Sequence, residues 1–516
     1  MRSPEAASPV LSLPPQRRAS VRRWTLVATI LGSSLTFIDG TVVNVALPAL
    51  QADLQATITD VQWVIEAYAL FLGGLILVGG SLGDQFGRKR MFVAGVTVFT
   101  VASMVCGLAV STRMLIVARG VQGIGAAFLV PGSLAIITAT FDVPDRGRAI
   151  GTWSGFSAIA TAAGPIAGGW LIEHVSWRVV FFLNLPLAAL VLALSARFML
   201  ESRDASRRSG IDWAGASLAV AGLGSGVFAL LEWPRSGAGQ PPVLAAVACS
   251  VVSLTALAIV ERRVSDPMLP IGLFQSRTFT LANVLTLFLY GALATVFWLV
   301  PLNLIQVQHY TATAAGAAFL PFPVLMFLLS RWSGGLVASV GSRLPLTIGP
   351  VVAGVGLALH ARPGIGGSYW ATFFPAVTVL GAGMAIVVAP LTTTVMTAVE
   401  AEHAGAASGV NNAVSRAAGL IAIAVLGVVL MHVFDQRVSA ALDRLHLPAA
   451  ARGAVDGELP KLAGADVGAA VAEADRGAVR QAIDASFVSA FRVVMIVGAV
   501  VAFGAAVAGA QIRPRQ

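Results

Sequence analysis

Three ionisable side chains, Asp39, Glu66 and Arg119, lie inside long apolar stretches of this 516-residue chain. A charge near the centre of a bilayer costs at least about 2.5–3.5 kcal/mol, and such residues are typical of ion and proton pathways. Burial opposes the ionisation of a carboxyl, whereas a nearby arginine favours it. We therefore predict a carboxyl that exchanges protons near neutral pH. Either Asp39 or Glu66 is expected to be this carboxyl, with Arg119 deciding which of them ionises.

The composition indicates what surrounds these charges. Hydrophobic residues make up 57% of the chain and charged residues only 11%, and the mean hydropathy is +0.82. A soluble protein this apolar could not cover its surface with polar groups, which excludes a cytosolic enzyme, a secreted domain and a disordered regulator. The net charge of +9 is spread over short segments, so a nucleic-acid partner is not expected. The chain is predicted to be an integral membrane protein in contact with the lipid bilayer.

Apolar runs of about 20 residues are long enough to cross a bilayer as helices. Fourteen such runs lie at 25–48, 60–80, 91–110, 114–139, 150–172, 179–199, 212–232, 242–261, 279–301, 312–330, 345–361, 369–396, 406–431 and 486–510. Arg and Lys concentrate in alternate connecting segments, such as 88–90, which predicts that both termini are cytoplasmic. On this topology Asp39, Glu66 and Arg119 lie in the outer half of predicted helices 1, 2 and 4.

Two segments, 80–89 and 334–343, share the pattern G-x-L-x-x-x-x-G with a basic residue two places after the last glycine. They are eight predicted helices apart, whereas a duplicated six-helix unit would place them six apart. We therefore infer two six-helix halves with two helices inserted between them. Repeated halves around a central site are the architecture of alternating access. The predicted divisions are a cytoplasmic tail 1–23, a first bundle 24–200, the inserted helices with flanking loops 201–277, a second bundle 278–510 with a long outer loop 435–485, and a cytoplasmic tail 511–516.

Five segments resemble the signatures of one transporter family and occur in the family's order. They are 38–48, 80–92, 115–125, 164–169 and 177–186. With them the chain resembles the major facilitator superfamily and, within it, the fourteen-helix drug–proton antiporters. The resemblance implies an all-α polytopic fold of two six-helix bundles plus two inserted helices. It also implies export of hydrophobic or amphipathic compounds (drugs, antibiotics, dyes) in exchange for protons, and it supports roles for Asp39 and Arg119.

The loop after the second predicted helix has the composition of a conformational latch. The motif begins at Gly80, and Gly83 and Gly87 permit a tight turn. Asp84 is expected to stabilise a helix N-terminus or to pair with Arg88. Such a contact would hold the inner side closed and would break when that side opens.

The fifth predicted helix carries the antiporter motif of the family. Pro165 removes a backbone hydrogen bond to Thr161, which bends the helix. Gly164, Gly168 and Gly169 let another helix approach closely. We expect this motif to seal the ion path, so that exchange is favoured over leak.

An apolar cavity with a few polar groups would suit an amphipathic substrate. Candidate lining residues are the membrane-embedded side chains Phe37, Asn44, Gln122, Trp153, Asn283, Tyr290 and Trp298. Arg416 is interpreted as a residue near the inner start of the thirteenth helix that snorkels to the interface. We find no nucleophile–base or metal-binding constellation in the sequence. We therefore expect a transporter and not an enzyme, with no cofactor and with the proton gradient as its energy source.

Two other functions stay open at this point. One is a transporter of a single endogenous metabolite or siderophore, which would respond to one chemotype only. The other is a channel or membrane sensor, whose flux would ignore the proton gradient. The Arg- and Ala-rich composition is typical of a GC-rich bacterial genome. We expect a monomer in the bacterial inner (plasma) membrane.

Overall fold

The computed structural model describes residues 14–203, 212–237, 239–264, 271–399, 404–468 and 471–512. Within these ranges the chain forms the helices α1 to α17. In order they are Pro15–Leu54, Ile58–Phe86, Arg88–Gly107, Thr112–Thr140, Val143–His174, Trp177–Phe182, Asn184–Phe198, Trp213–Ser236, Pro241–Val260, Arg277–Leu302, Ala312–Ala317, Pro321–Val340, Arg343–His360, Phe373–Thr397, Ala404–Asp443, Ala449–Glu458 and Glu473–Ala510.

Every one of the predicted spans overlaps a helix or a pair of consecutive helices. Among the described residues, 12 helical segments are long and apolar enough to cross a membrane. The prediction of an all-α polytopic membrane protein is therefore confirmed. The two remaining predicted spans lie on α2 and α5, and the number of membrane crossings stays a prediction.

Polar caps explain where several helices begin. Thr57 precedes α2 and forms a reciprocal capping box with Asp60. Thr57 Oγ1 accepts a hydrogen bond from the Asp60 N–H (3.2 Å), and Asp60 Oδ2 accepts one from the Thr57 N–H (2.9 Å). Ser111 before α4 and Ser276 before α10 each accept from the N–H three residues further on. These caps satisfy backbone donors that no helical carbonyl can reach.

Two predicted spans are built from two helices each. α6 and α7 meet at Leu183, and α11 is separated from α12 by residues 318–320. Pro321 occupies the first position of α12, where its missing N–H is tolerated, whereas inside a continuous helix it would break a hydrogen bond. A π-helical turn, Asn303–Val307, follows α10 and begins two residues after Pro301.

The helices pack as two groups. In the first group, α1 lies against α4, α5 and α7, and both α2 and α3 lie against α4. In the second group, α10 lies against α15 and α17, and α13 lies against α14 and α17. We call α1–α7 the N-terminal half and α10–α17 the C-terminal half.

The halves meet along two seams. At the first seam α5 packs against α11 and α12, and at the second α2 packs against α15. α8 contacts both α2 and α15, and α9 packs on α8. The inserted pair α8–α9 therefore covers the second seam.

The predicted outer loop is folded onto one end of the molecule, which we call the outer end after its predicted orientation. Its central part consists of α16 and a 3-10 turn, Leu459–Gly464, and we call these two elements the outer cap. Gln51 Nε2 on α1 donates to the carbonyl of Lys461 (3.1 Å), and Gln306 Nε2 donates to Gln51 Oε1 (2.8 Å). The outer cap and the residues after α10 are thus joined to α1, so both halves are in contact at this end.

Candidate functional site

A buried ion pair joins α1 and α4 in the N-terminal half. Arg119 Nη1 donates to Asp39 Oδ2 at 2.6 Å, and both side chains are almost completely buried. Gln122 Nε2 donates to the other carboxylate oxygen, Asp39 Oδ1, at 2.9 Å. Gln122 lies three residues after Arg119 and therefore on the same face of α4. Both oxygens of Asp39 are thus satisfied by groups from a single neighbouring helix.

The guanidinium of Arg119 is bound on several sides. Its Nε donates to the carbonyl of Val64 on α2 (3.1 Å), and Nη1 also donates to Gln122 Oε1 (2.7 Å). Its central carbon lies 4.3 Å from the ring centroid of Tyr68, a cation–π contact. Arg119 therefore ties α1, α2 and α4 together, and a proton on Asp39 would remove the charge that holds one of these contacts.

Glu66 does not join this pair, although the sequence analysis grouped the three charges. Tyr68 faces Arg119, and residues two apart on a helix point to nearly opposite sides. Glu66 instead lies one turn from Gln62, whose Nε2 donates to the Ile423 carbonyl on α15 (3.3 Å). Both carboxyl oxygens of Glu66 are buried without a hydrogen-bond partner among the described residues. Glu66 therefore belongs to the second seam and is not a competitor for Arg119 in this structure.

A cavity of about 300 Å³ lies between the halves beside the ion pair. The N-terminal half contributes Gly40, Thr41, Val43, Asn44, Ile65, Tyr68, Ala69, Leu72 and Arg119. The C-terminal half contributes Tyr290, Leu293, Ala294, Phe297, Ser415, Arg416, Gly419, Leu420 and Ile423. Because its wall is mostly apolar with a few polar groups, this central cavity suits an amphipathic ligand.

Two of the predicted lining residues, Asn44 and Tyr290, do line the central cavity. The others lie elsewhere, and Gln122 belongs to the ion-pair network. Phe37 and Trp153 contact each other edge to face, with ring centroids 6.3 Å apart. The amide of Asn283 accepts a hydrogen bond from Asn411 Nδ2 on α15 (3.1 Å).

Trp298 is completely buried in the large hydrophobic core cluster that includes residues of both halves, and it is not among the residues that line the cavity. The position of Arg416 also differs from the sequence-based interpretation, which placed it near the membrane interface as a snorkelling residue. It lies twelve residues after the start of α15, about 18 Å along the helix. Its position in the cavity wall places it between the halves and away from the interface. Residue type alone could not show this, because the depth depends on where α15 begins.

The two copies of the repeated loop share a backbone feature. Gly87 between α2 and α3 has a φ of +113°, and Gly341 between α12 and α13 has a φ of +76°. Positive φ values favour glycine. In both halves, therefore, the last residue of the pattern is a glycine because the backbone at that position has a positive φ.

A carboxylate that the sequence analysis missed holds the first of these loops. Glu201 Oε1 accepts from the N–H of Lys89 (3.0 Å), and Oε2 accepts from the N–H of Arg90 (3.2 Å). A negative charge is favourable at the start of α3, where N–H groups have no helical partner. A Cβ at Gly87 would lie 2.7 Å from this carboxyl. The signal in the sequence was an acid directly after the sixth predicted span.

The remaining residues of the predicted latch lie near α4. Arg88 Nη1 reaches the carbonyl of Ala135 at 3.5 Å. Gly80 lies on α2, where a Cβ would meet Pro131 only at van der Waals distance (3.8 Å). The side chain of Asp84 lies outside the described part of the structure, so its pairing with Arg88 stays a prediction.

The antiporter motif brings α5 against α1. A Cβ at Gly164 would lie 2.5 Å from Thr41 Oγ1, and one at Gly168 would lie 1.7 Å from Val42 Cγ2. Thr41 Oγ1 donates within its own helix to the Phe37 or Ile38 carbonyl (3.0 Å each). It also lies 3.4 Å from the Thr161 carbonyl, which Pro165 leaves without a helical partner.

The same motif also forms the first seam. A Cβ at Gly169 would lie 2.4 Å from the Ala312 carbonyl oxygen, and one at Gly316 would lie 2.1 Å from the Pro165 carbonyl oxygen. Thr313 Oγ1 donates to Glu173 Oε2 (2.6 Å) just beyond this contact. The backbones of α5 and α11 are therefore in direct contact near the outer end, which larger side chains would prevent.

Comparisons with known proteins agree with this architecture. Residues 29–423 match the model of the Major Facilitator Superfamily. The chain is 35% identical over 407 residues to the multidrug resistance protein Stp of Mycobacterium tuberculosis, covering 79% of this chain and 75% of that protein. It is 35% identical over 444 residues to the puromycin resistance protein pur8 of Streptomyces alboniger, covering 82% and 85%.

Among solved structures, the chain resembles a bacterial homologue of the human lysosomal transporter Spinster in an inward-facing, unoccupied conformation. The TM-score is 0.65 at 17% identity, over 96% of this chain and 99% of that one. This likeness supports the fold.

Proposed function

Because this chain belongs to the major facilitator superfamily and to its drug-efflux branch, we propose that it exports amphipathic compounds, including antibiotics, in exchange for protons. Its relatives are resistance proteins and its fold is that of a polytopic transporter, so the reaction is movement across a membrane and not a chemical conversion. The proton coupling and the direction of exchange are the parts that we infer from the site.

The observation that carries the proposal is the buried Asp39–Arg119 pair beside the central cavity. Protonation of Asp39 neutralises the carboxylate and weakens its ion pair with Arg119. The freed guanidinium lines the cavity and also holds α2 through Val64. Proton occupancy therefore changes both the wall that the substrate meets and the contacts among α1, α2 and α4.

Movement of the halves would convert this local change into transport. The contacts at the outer end, between α5 and α11 and beneath the outer cap, support a closed outer side in this conformation. Release of these contacts would open the cavity outwards, as alternating access requires. We propose that the chain lies in the bacterial plasma membrane with both termini in the cytoplasm, and that it acts as a monomer.

Energised inside-out vesicles test the proposal. The acidic interior is followed with a pH-sensitive dye while lipophilic cations, neutral antibiotics and organic anions are added one at a time. We expect several unrelated compounds to dissipate the gradient in vesicles that contain the protein, and none to do so in matched vesicles that lack it. A response to one chemotype only would favour a single-metabolite transporter, and compound flux without proton movement would overturn the coupling.

A further inference from the structure

The central cavity contains an uncompensated positive charge. The charged residues in its wall are Arg119 and Arg416, and the lining includes no carboxylate. Arg119 is neutralised by Asp39. Arg416, on α15, forms no ion pair within the described part of the chain, and its buried Nε has no hydrogen-bond partner there. One half of the cavity wall therefore carries a guanidinium with no counter-charge among the described residues.

A second donor without a partner faces the same cavity. Tyr68 is 94% buried and lines the cavity from α2, and its hydroxyl forms no hydrogen bond among the described residues. α2 and α15 are in contact here, since a Cβ at Gly73 would lie 3.3 Å from the Arg416 Cβ. Tyr68 and Arg416 therefore place two polar side chains from opposite halves in the wall of one cavity.

We propose that Arg416 and Tyr68 form an anion-accepting subsite, so that the preferred substrates are amphipathic compounds that carry an acidic group. This inference rests on the proposed function, since it names the substrate class of the same cavity. A positive charge that lies between membrane-spanning helices without a counter-charge is costly. Charge-assisted hydrogen bonds from Arg to a carboxylate or a similar anion are among the strongest that a site can form.

The remaining wall fits the apolar part of such a ligand. Leu72, Leu293, Phe297 and Leu420 provide aliphatic and aromatic surface around the two donors. The anion would be held by Arg416, whereas the proton is assigned to Asp39. The anion and the proton thus bind to different residues. Their binding is coupled through movement of the halves, without direct competition for one charged group.

The experiment compares three fluorescent ligands that differ only in their polar end. Pyrenebutyrate, pyrenebutyramide and pyrenebutylamine are equilibrated by dialysis against the purified full-length protein in lipid nanodiscs, with protein-free nanodiscs as the blank. We expect the wild-type protein to bind the carboxylate at least about tenfold more tightly than the amide, the range for a hydrogen bond between charged groups. Tighter binding of the amine than of the carboxylate would overturn the inference.

Variants connect the preference to the subsite. Arg416→Gln is expected to bring the carboxylate-to-amide ratio close to one, and Tyr68→Phe to lower it severalfold. Arg416→Lys keeps a charge and is expected to keep part of the preference, which shows that a change at this position does not by itself unfold the protein. Arg437→Gln removes an exposed arginine from the same helix and is expected to change nothing. A ratio that is unaffected by Arg416→Gln would contradict the proposal.

This result is separable from the proposed function. If the vesicle assay shows proton-linked movement of compounds without any preference for anions, the export proposal stands and the anion subsite is wrong. If no compound moves protons, the export proposal fails, while the binding ratio and its dependence on Arg416 still decide the inference.

Discussion

Buried charge is arranged differently in the two halves of the molecule. In the N-terminal half, Asp39 and Arg119 neutralise each other, and Gln122 satisfies the remaining carboxylate oxygen. In the C-terminal half, Arg416 faces the cavity with no counter-charge among the described residues. The Asp39–Arg119 pair can take up a proton without a bound ligand, whereas the charge of Arg416 needs an anionic ligand to neutralise it. The comparison therefore supports the two proposals, in which the proton binds to the first half and the charged end of the substrate to the second.

The largest effect is expected for Arg119→Met, which removes the charge that pairs with Asp39. Breaking a buried pair by removing one partner costs about 3–5 kcal/mol. We expect a marked fall in melting temperature and loss of transport. The double variant Asp39→Leu/Arg119→Met should recover most of the melting temperature but no transport. Equal melting temperatures of the single and double variants would show that Asp39 and Arg119 do not neutralise each other as described.

Gly169→Val tests the seam that joins the halves. The backbone of Ala312 leaves no room for a side chain at this position. We expect α5 and α11 to be forced apart near the outer end, and transport in vesicles to fall by at least about tenfold, which corresponds to ~1.4 kcal/mol. Gly335→Val on α12 is the control, because a Cβ there meets nothing within 4 Å. Similar transport by both variants would mean that this contact is not part of the cycle.

Glu66→Gln separates the two buried acids. Glu66 lies at the second seam away from Arg119, and the amide keeps its shape. We expect transport to fall by less than about fivefold, equivalent to less than ~1 kcal/mol of activation free energy. The measurement is the same vesicle assay, with Asp39→Asn as the matched acid-to-amide change. If Glu66→Gln abolishes proton movement and Asp39→Asn does not, the proton belongs to Glu66 and the assignment within the N-terminal half is wrong.

The smallest effect on transport is expected in the polar network of the C-terminal half. Asn411 Nδ2 donates to Asn283 Oδ1 (3.1 Å) and to Thr286 Oγ1 (2.7 Å), which joins α15 to α10. Asn411→Ala should cost about 0.5–1.5 kcal/mol for each hydrogen bond. We expect a lower melting temperature with transport largely retained. Loss of transport at an unchanged melting temperature would instead place this network in the transport cycle.

Much of the fold could be predicted from the sequence, because bilayer thickness fixes the length of each apolar run. The importance of Asp39 and Arg119 was also visible, since charge in an apolar helix is costly wherever it lies. The position of Glu66 at the second seam was not visible, because the direction in which a side chain points depends on the phase of α2 and on the packing of α15. The same limit applies to Trp298, whose burial in the core is decided by helix packing.

Arg416 and Glu201 illustrate a second limit. Arg416 was placed near the interface because the start of α15 and the position of the cavity cannot be read from hydropathy. Glu201 caps α3 although it follows α7 in the chain, a contact between segments far apart in sequence. The local sequence shows only that such residues are charged. The packed structure shows which groups each charged side chain contacts.

The most direct test of the account uses Asp39→Asn in two assays on the same vesicles. One assay follows substrate-driven proton movement across a pH gradient, and the other follows counterflow of a labelled substrate without a gradient. We expect counterflow to persist in Asp39→Asn while proton movement disappears, because the substrate site is intact and the proton carrier is gone. Proton movement at the wild-type rate in Asp39→Asn would contradict the account, since the buried pair would then be structural.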